Sequence, residues 1–350
     1  MIPGRKIRVL IVDDSAIVRK LLGEALATEP DIEVVGTAPD PYVARDKILA
    51  LSPDVLTLDV EMPRMDGLTF LRKLMVFRPM PVIVISSLTQ AYCQIGMDAL
   101  HAGAVDVMAK PGGPNSVGEL KSTLATKIRA AAVSRVRSAH QPEAAPPAPP
   151  ATHEKADPRA LIAIGASTGG TQAIEEVLTR MPAGSPGIVI TQHIPAGFSR
   201  AFAERLNRCC PMRVAEASDG DRVESGLALI APGNFHMLVR QSGGTYRVTV
   251  KDGPLVCYQR PSVDVLFSSV AEAAGSHAVG ALLTGMGSDG AQGLKKMKSA
   301  GAHTIAQDEA SCVVFGMPMQ AIRLGAAAEV VPLNSVARAI SNAFAHEPIH

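Results

Sequence analysis

The sequence predicts two α/β domains that each contain a parallel sheet covered by helices. Short apolar runs alternate with amphipathic stretches on both sides of one Pro- and Ala-rich segment. The length of 350 residues suits two domains of ordinary size. Because the apolar periodicity stops in residues 136–158, we predict a linker there. The predicted domains are therefore residues 1–135 and residues 159–350.

The first domain contains five runs rich in Val, Ile or Leu, which indicate strands buried on both faces of a parallel sheet. The predicted strands are Arg8–Val12, Glu33–Gly36, Val55–Leu58, Val82–Ile85 and Val105–Met108. Amphipathic stretches such as Ile17–Ala27 and Leu68–Phe77 separate them and predict helices. Five alternating units predict a flavodoxin-like, doubly wound fold with a five-stranded parallel sheet.

The second domain repeats the alternation of strands and helices, and we predict a doubly wound α/β fold with one β-hairpin. The predicted strands are Leu161–Ile164, Ile188–Thr191, Leu227–Ala231, Val279–Leu283, His303–Ala306 and Glu329–Val331. The hairpin pairs Met237–Val239 with Tyr246–Val250 through a glycine-rich turn. Helices are predicted to begin near Thr171, Phe198, Val263, Asp289 and Met317.

The composition excludes several classes of protein. Hydrophobic residues make up 47% of the chain and charged residues 19%, which is enough for two cores and too little charge for a disordered chain. The net charge of +1 and the absence of Trp argue against a nucleic-acid partner. The five cysteines include no CxxC pair, which argues against a disulfide framework or a zinc site. We find no signal peptide and no apolar stretch of about 18 residues, so we predict a cytoplasmic protein without membrane insertion.

Acidic, basic and hydroxyl side chains follow the predicted strands of the first domain. They are Asp13, Asp14, Asp59, Ser87 and Lys110. We expect them to meet, because ligands of open parallel sheets bind beyond the carboxyl ends of the strands. Clustered carboxylates need a hard cation such as Mg²⁺, and a carboxylate can attack phosphorus while Lys and Ser hold the phosphoryl oxygens. Each residue alone is more simply a strand end or a solvated charge, but the whole set favours a phosphorylation site.

Four segments of the first domain resemble the receiver domain of response regulators. They are Ile11–Ser15, Leu58–Gly67, Ser86–Ser87 and Lys110–Pro111. The resemblance implies that Asp59 accepts a phosphoryl group from a sensor histidine kinase, and that Asp13, Asp14 and Asp59 bind Mg²⁺. It also implies that Ser87 and Lys110 sense the phosphoryl group and that the Lys110–Pro111 bond is cis. Many receivers carry an aromatic switch residue where this chain has Val107, so no aromatic switch is expected.

The second domain begins with an apolar strand that leads into Gly165-Ala166-Ser167-Thr168-Gly169-Gly170 and then into a helical pattern. This G-x-S-x-G arrangement predicts a tight turn that exposes the Ser167 hydroxyl, with backbone N–H groups at the helix start to hold an oxyanion. A small-residue turn can instead cradle a phosphate, so the motif alone leaves both interpretations open. A dinucleotide fingerprint is excluded because Ser167 occupies the position of its middle glycine.

His193 and Asp289 are the candidate partners of this serine. Each follows a predicted strand, so all three side chains belong to loops at the carboxyl edge of the sheet. A nucleophilic serine needs a base to remove its proton, and the base needs a carboxylate to orient it. His236 remains an alternative base, and Asp264 and Asp308 remain alternative acids. The chain order Ser, His, Asp differs from the order Ser, Asp, His of α/β-hydrolases.

Four segments of the second domain resemble the catalytic domain of chemotaxis protein-glutamate methylesterases, the CheB family. They are Ile164–Gly170, Gln192–His193, Ala231–Gly233 with His236, and Leu283–Gly290. The resemblance extends over residues 159–345, and the chain order Ser, His, Asp matches this family.

The resemblance implies that Ser167 attacks glutamate methyl esters on the cytoplasmic helices of chemoreceptors. His193 is then the general base, Asp289 orients it, and backbone N–H groups near Thr168 and Met286 form the oxyanion hole, without a cofactor. The same site is expected to deamidate receptor glutamines. Phosphorylation of Asp59 is expected to open an arrangement in which the receiver blocks the active site.

A DNA-binding or a nucleotide-binding output domain is the alternative to an enzyme. A DNA-binding output needs a compact helix-turn-helix with a basic face, whereas the second half of this chain is a long α/β pattern without a basic stripe. The nucleotide-binding alternative rests only on the glycine-rich turn around Ser167.

Overall fold

The computed structural model describes residues 5–110, 117–135, 157 and 159–345. The chain divides into two compact units, residues 1–143 and residues 144–350. Except for Asp157, the predicted linker at 136–158 lies outside the described residues, as does Pro111 of the predicted cis bond. The domain limits and the cis bond therefore stay predictions. Among the described residues, no helix has both the length and the apolar character needed to cross a bilayer.

The first unit is built on a five-stranded parallel sheet with the order β2-β1-β3-β4-β5. Its strands are β1 (Ile7–Val12), β2 (Ile32–Ala38), β3 (Val55–Asp59), β4 (Val82–Ser86) and β5 (Asp106–Ala109). Strands β3 and β4 are buried along their whole length, as expected for a sheet that helices cover on both faces. The predicted flavodoxin-like α/β fold of this unit is confirmed.

Among the described residues of the first unit, five helices connect and follow these strands. They are α1 (Ala16–Ala27), α2 (Pro41–Leu51), α3 (Gly67–Phe77), α4 (Gln90–His101) and α5 (Val117–Ala132). Three of them begin after a residue whose side chain accepts a hydrogen bond from the first turn, namely Ser15, Asp40 and Asp66. These caps end the loops that leave the carboxyl edge of the sheet after β1, β2 and β3.

The strand order reverses at β1, which has β2 on one side and β3 on the other. Val12 of β1 pairs with Leu58 of β3, so the residues that follow them, Asp13 and Asp59, emerge side by side. A crevice opens at such a reversal because the two adjacent connections run to opposite faces of the sheet. The acidic residues of the first unit therefore meet at this reversal point.

The second unit contains a seven-stranded parallel sheet with the order β15-β14-β13-β6-β7-β10-β8 and a three-stranded antiparallel sheet with the order β11-β12-β9. The parallel strands are β6 (Leu161–Ala166), β7 (Gly187–Gln192), β8 (Arg213–Glu216), β10 (Leu227–Ile230), β13 (Ala278–Leu282), β14 (His303–Gln307) and β15 (Glu329–Val331). The antiparallel strands are β9 (Arg222–Val223), β11 (His236–Ser242) and β12 (Thr245–Lys251). The predicted α/β class and the hairpin are confirmed.

In the described part of the second unit, six α-helices surround these sheets. They are α6 (Gly170–Thr179), α7 (Phe198–Cys209), α8 (Val263–Ala274), α9 (Ala291–Ser299), α10 (Met317–Arg323) and α11 (Leu333–Ala345). Helix α9 begins two residues later than predicted, so Asp289 lies in the loop before it. Strands β8 and β9 were not predicted, because they are short and carry charged residues.

The central strands β6 and β7 are buried along their whole length, which fixes the loops that follow them. Helix α8 packs close to β6 because Gly165 has no side chain. A Cβ at this position would lie 2.2 Å from Cγ1 of Val263, the first residue of α8. Gly165 therefore allows the beginning of α8 to approach the carboxyl edge of the sheet, where the loops after β6, β7 and β13 converge.

Candidate functional sites

Three carboxylates converge at the carboxyl edge of the first sheet. Oxygen atoms of Asp13, Asp14 and Asp59 lie within 4.8 Å of one another. Asp13 and Asp59 are fully buried, while Asp14 is exposed. Burial and the neighbouring charge of Asp59 raise the pKa of Asp13 to about 6. Oδ2 of Asp13 is buried and has no hydrogen-bond partner among the described residues.

This cluster fits a bound Mg²⁺ ion. Clustered, partly desolvated carboxylates repel one another, and an unpartnered buried oxygen needs a positive partner. Magnesium prefers such oxygen ligands and retains several waters, which the exposed side of Asp14 can accommodate.

Lys110 provides the nearby positive charge. Its Nζ lies 2.8 Å from Oδ2 of Asp59 and 3.9 Å from Oε1 of Glu61. Burial opposes the charge of Lys110, but the hydrogen bond with Asp59 raises the pKa of this ammonium above its ordinary value. The half-buried Ser87 donates its backbone N–H to Glu61, 2.8 Å away. Its hydroxyl makes no hydrogen bond with Asp59 among the described residues, so of the two predicted sensing residues it is Lys110 that contacts the predicted acceptor.

In the second unit, Ser167 lies on a tight turn between β6 and α6. Its backbone N–H donates to Thr284 O at 2.9 Å, and its carbonyl accepts from the backbone N–H of Gly170 at 2.7 Å. Gly169 precedes the helix with φ of +77°, a conformation that glycine adopts without strain. A Cβ at Gly285 would lie 2.6 Å from Cβ of Ser167, so only glycine fits beside the serine. The turn is therefore held by its hydrogen bonds to Thr284 and Gly170 and by the close packing of Gly285 against Ser167.

His193 and Asp289 form a buried pair. Nε2 of His193 lies 2.8 Å from Oδ2 of Asp289. Nδ1, the other ring nitrogen, is buried and has no hydrogen-bond partner among the described residues. An imidazole that donates from Nε2 to a carboxylate keeps Nδ1 as its proton acceptor. The pair therefore presents a base whose free nitrogen is Nδ1.

Asp289 is held at the beginning of α8. Its carboxylate accepts from Ser262 Oγ at 2.8 Å and from the backbone N–H groups of Val263 and Asp264 at 2.7 and 3.0 Å, in addition to His193. Burial opposes ionisation, but the hydrogen bond and charge of His193 and these backbone donors hold the pKa of Asp289 below its ordinary value. The positive end of the helix dipole favours the same charge. Asp289 is therefore a fixed anion.

Gln192 connects the serine turn to the histidine. Its side-chain Nε2 donates to Ser167 O at 2.8 Å and to His193 O at 3.2 Å. The backbone N–H of His193 also donates to Ala166 O at 3.1 Å. The two lie on adjacent loops at the same edge of the sheet, and no hydrogen bond joins the Ser167 hydroxyl to His193 among the described residues. Sequence analysis named Gln192 only as part of the Gln192–His193 segment and gave its side chain no role.

The alternative base and acids have other partners. Nε2 of His236 lies 2.9 Å from Pro254 O, and its Nδ1 accepts from the backbone N–H of Ser262 at 3.2 Å, so neither ring nitrogen is free. Asp264 accepts from the backbone N–H of Gly293, and Asp308 accepts from Ser311. His236 instead supports the segment that carries Ser262, and thereby Asp289.

The backbone N–H groups near the serine turn, which include those of the predicted oxyanion donors Thr168 and Met286, differ in availability. The backbone N–H of Ser167 is taken by Thr284, which removes it as a donor. The half-buried Met286 follows Gly285 directly, and its backbone N–H donates no hydrogen bond among the described residues. Thr168 is buried, and its carbonyl accepts from the Thr284 hydroxyl at 3.0 Å. Among the described residues the backbone N–H of Met286 is therefore available to an oxyanion, whereas the hydrogen bond to the Thr168 carbonyl does not involve the Thr168 N–H.

Replacing Ser262 with alanine is expected to lower kcat about 10-fold, because the Asp289 carboxylate loses a charged hydrogen bond. Since Ser262 also caps α8, we expect unfolding to require about 1–2 kcal/mol less. Initial rates and denaturant unfolding measure both effects. The matched control is Ser269→Ala, which removes a buried hydroxyl of the same helix that contacts Val239 and Leu266. An equal loss of kcat in both variants would contradict a specific role of Ser262.

Comparison with known proteins finds relatives of both units. The family profile described as CheB methylesterase matches residues 162–340, and the profile described as Response regulator receiver domain matches residues 9–120. The protein-glutamate methylesterase/protein-glutamine glutaminase 2 of Syntrophus aciditrophicus is 56% identical over 334 residues, which cover 95% of this chain and 97% of the relative. The Salmonella typhimurium protein-glutamate methylesterase/protein-glutamine glutaminase is 55% identical over 339 residues, 95% of each chain. The crystal structure of the Thermotoga maritima CheB methylesterase catalytic domain matches with a TM-score of 0.51 and 35% identity, and covers 52% of this chain and 97% of that domain.

Proposed function

The chain belongs to the CheB methylesterase family, and we propose that Ser167, His193 and Asp289 hydrolyse glutamate methyl esters on chemoreceptors. The observation that carries the assignment is the buried His193–Asp289 hydrogen bond, with an unpartnered Nδ1, on the loop beside the serine turn. The relatives are named as hydrolases, which favours an enzyme over a DNA-binding or nucleotide-binding output domain.

In the proposed acylation step, the Ser167 oxygen attacks the ester carbonyl while its proton passes to Nδ1 of His193. Asp289 keeps the other ring proton on Nε2 and stabilises the imidazolium that forms. The backbone N–H of Met286, with that of Thr168, holds the negative oxygen of the tetrahedral intermediate. The bond to the methoxy group then breaks, and methanol leaves with the proton from Nδ1.

In the proposed deacylation step, a water molecule attacks the acyl–serine ester and His193 accepts its proton. The bond from the acyl carbon to Ser167 oxygen breaks, and His193 returns the proton to the serine. The product is a glutamate carboxylate. An amide passes through a similar tetrahedral intermediate with ammonia as the leaving group, so the same residues serve glutamine deamidation, the second activity in the names of the relatives.

The receiver unit controls this activity through phosphorylation, and we propose Asp59 as the acceptor of a phosphoryl group from a histidine kinase. Mg²⁺ held by Asp13, Asp14 and Asp59 would neutralise the phosphoryl oxygens. Asp59 is the carboxylate that Lys110 contacts at 2.8 Å, which supports Lys110 as the second positive charge on the product. We further propose that the unphosphorylated receiver restrains hydrolysis and that phosphorylation relieves this restraint.

We propose that the protein acts in the cytoplasm, on the cytoplasmic helices of chemoreceptors. All five cysteines are free thiols, which suits a reducing compartment. Methyl-labelled receptor tests the proposed function. The wild-type chain is expected to release labelled methanol, and mass spectrometry is expected to find glutamine sites converted to glutamate. Release of neither methanol nor ammonia by the phosphorylated chain would refute the assignment.

Replacing Asp59 with asparagine is expected to abolish labelling by a radioactive phosphodonor and any stimulation of methanol release. The amide is a much poorer nucleophile than the carboxylate. The matched control is Asp66→Asn, in the same loop, where asparagine still caps α3 and labelling should persist. Chelation of Mg²⁺ is expected to suppress labelling of the wild type. Labelling that survives in the Asp59 variant would place the phosphoryl group elsewhere.

A further inference from the structure

A strained turn lies beside the catalytic acid. Val256 and Gln259 exchange both backbone hydrogen bonds, at 3.1 and 2.9 Å, so Cys257 and Tyr258 are the two central residues of a tight turn. Their φ angles are 50° and 62°. Such turns favour Asn and Gly, because left-handed backbone is costly for bulky residues. Strain of this kind persists where the side chain has a use.

The strained turn presents apolar side chains to solvent. Tyr258 is 89% exposed, Leu255 is 49% exposed, and Phe235 on the neighbouring loop is 41% exposed. Among residues 159–345, the only other large hydrophobic side chain of comparable exposure is Val330. Three of the four therefore share two adjacent loops. We call Phe235, Leu255 and Tyr258 the apolar rim.

The two loops are joined to each other and to the catalytic residues. The Arg260 guanidinium donates to Asn234 Oδ1 at 2.8 Å, and the Asn234 N–H donates to Arg260 O at 3.2 Å. Cys257 Sγ lies within 4.8 Å of a carboxylate oxygen of Asp289. A Cβ at Gly233 would lie 2.5 Å from the backbone nitrogen of Ala196, which belongs to the segment after His193. The rim is therefore fixed next to the reacting groups.

The two loops also have balanced charge. Within residues 231–236 and 252–261, the charged side chains are Asp252 and Arg260, and these two pair with each other. Arg260 additionally donates to Gly253 O at 2.6 Å. Neither charge therefore demands a charged partner. The surface fits a neutral, apolar occupant, and an esterified glutamate is itself neutral.

We propose that the apolar rim is the docking surface for the receptor helix that carries the esterified glutamate. Apolar side chains one helical turn from the ester lie on the same helix face and would contact the rim while the ester reaches Ser167. The proposal rests on the proposed function of the same site. It assigns recognition of the protein substrate to residues that take no part in proton transfer.

A comparison of a receptor substrate with a small ester distinguishes docking of the receptor helix from hydrolysis of the ester bond. The phosphorylated full chain is assayed with methylated receptor and with a blocked glutamate methyl ester that has no helix. The variant Tyr258→Asn with Leu255→Gln removes two apolar groups, and Asn tolerates the left-handed backbone. For the receptor we expect kcat/KM of the variant to fall, mainly because KM rises. This fall should be at least roughly 10-fold larger than the fall in kcat/KM for the small ester. The control, Val330→Gln, removes a side chain on β15 that is about as exposed as Leu255 and should leave the ratio unchanged.

The outcomes distinguish a failure of the docking surface from a failure of the proposed esterase function. If the wild type releases methanol from the receptor and the rim variant loses equally on both substrates, or on neither, the docking surface is refuted while the esterase survives. If the wild type does not act on the receptor, the proposed function and the docking surface both fail. If the rim variant accelerates the unphosphorylated chain on the small ester and, when phosphorylated, loses no more on the receptor than on the small ester, the rim serves restraint by the receiver unit, and docking of the receptor helix is refuted. Unchanged thermal unfolding checks that the variant is folded.

Discussion

Replacing Ser167 with alanine is expected to lower kcat for methanol release by at least about 10⁴-fold. In the proposed mechanism the serine oxygen forms the covalent bond to the substrate, and without it Nδ1 of His193 has no hydroxyl to deprotonate. The backbone donors near Met286 remain and account for the small residual rate. Initial rates at saturating methylated receptor, with both proteins phosphorylated alike, measure the effect.

The matched control for this variant is Ser185→Ala. Ser185 is also buried, but its hydroxyl contacts Pro182 O at the opposite end of β7 from His193. We expect its kcat to stay within a few-fold of the wild type, as is usual for changes outside an active site. Both variants should still be phosphorylated, which reports on the receiver unit. Equal methanol release by Ser167→Ala and wild type would show that another residue is the nucleophile.

Replacing Asp289 with asparagine is expected to lower kcat by about 10⁴-fold. The asparagine amide can donate to Nε2 of His193, which moves the ring proton to Nδ1. A protonated Nδ1 cannot accept the serine proton. The anion that stabilises the imidazolium is lost at the same time. The volume of the side chain hardly changes, so the loss comes from protonation and charge rather than from packing.

The comparison variant for Asp289 is Asp308→Asn, since Asp308 was the alternative acid on the loop after β14. Its carboxylate accepts from Ser311, and among the described residues His193 is hydrogen-bonded to Asp289 instead, so we expect nearly normal kcat. Rates should be measured at neutral pH, where hydroxide is too dilute to replace His193 as the base. A loss below about 10-fold in Asp289→Asn would falsify the role of this carboxylate in orienting the base.

Much of the candidate site was predictable because its residues lie at strand ends. Asp13 and Asp59 lie at the ends of Val- and Leu-rich strands, and Ser167 and His193 follow β6 and β7. The alternation of apolar strands and helices along the sequence is therefore enough to assign each group to one edge of its sheet. The glycines around Ser167 predicted the tight turn because such a turn needs a residue with positive φ, which is Gly169 in the structure. These are short-range signals.

The supporting contacts were not predictable in the same way. Gln192 bridges the carbonyls of Ser167 and His193, and Ser262 reaches Asp289 from a position 27 residues earlier in the chain. Ser262 shows only as a helix cap in the sequence, and nothing local indicates that its hydroxyl donates to a distant carboxylate. His236 resembled a catalytic base, and only its two buried hydrogen bonds identify it as a support for Ser262.

The sequence by itself determined the α/β class, the parallel sheets and the loops that carry the reactive side chains, because periodicity and turn chemistry act between near neighbours along the chain. The tertiary structure decided which nitrogen of His193 faces Asp289, which acid is anchored at the start of α8, and that Phe235 and Tyr258 share one rim. These features depend on strand order and on the close approach that Gly165 allows between β6 and α8. Such contacts join residues that are distant in sequence, so they exist only once both sheet and helix are packed.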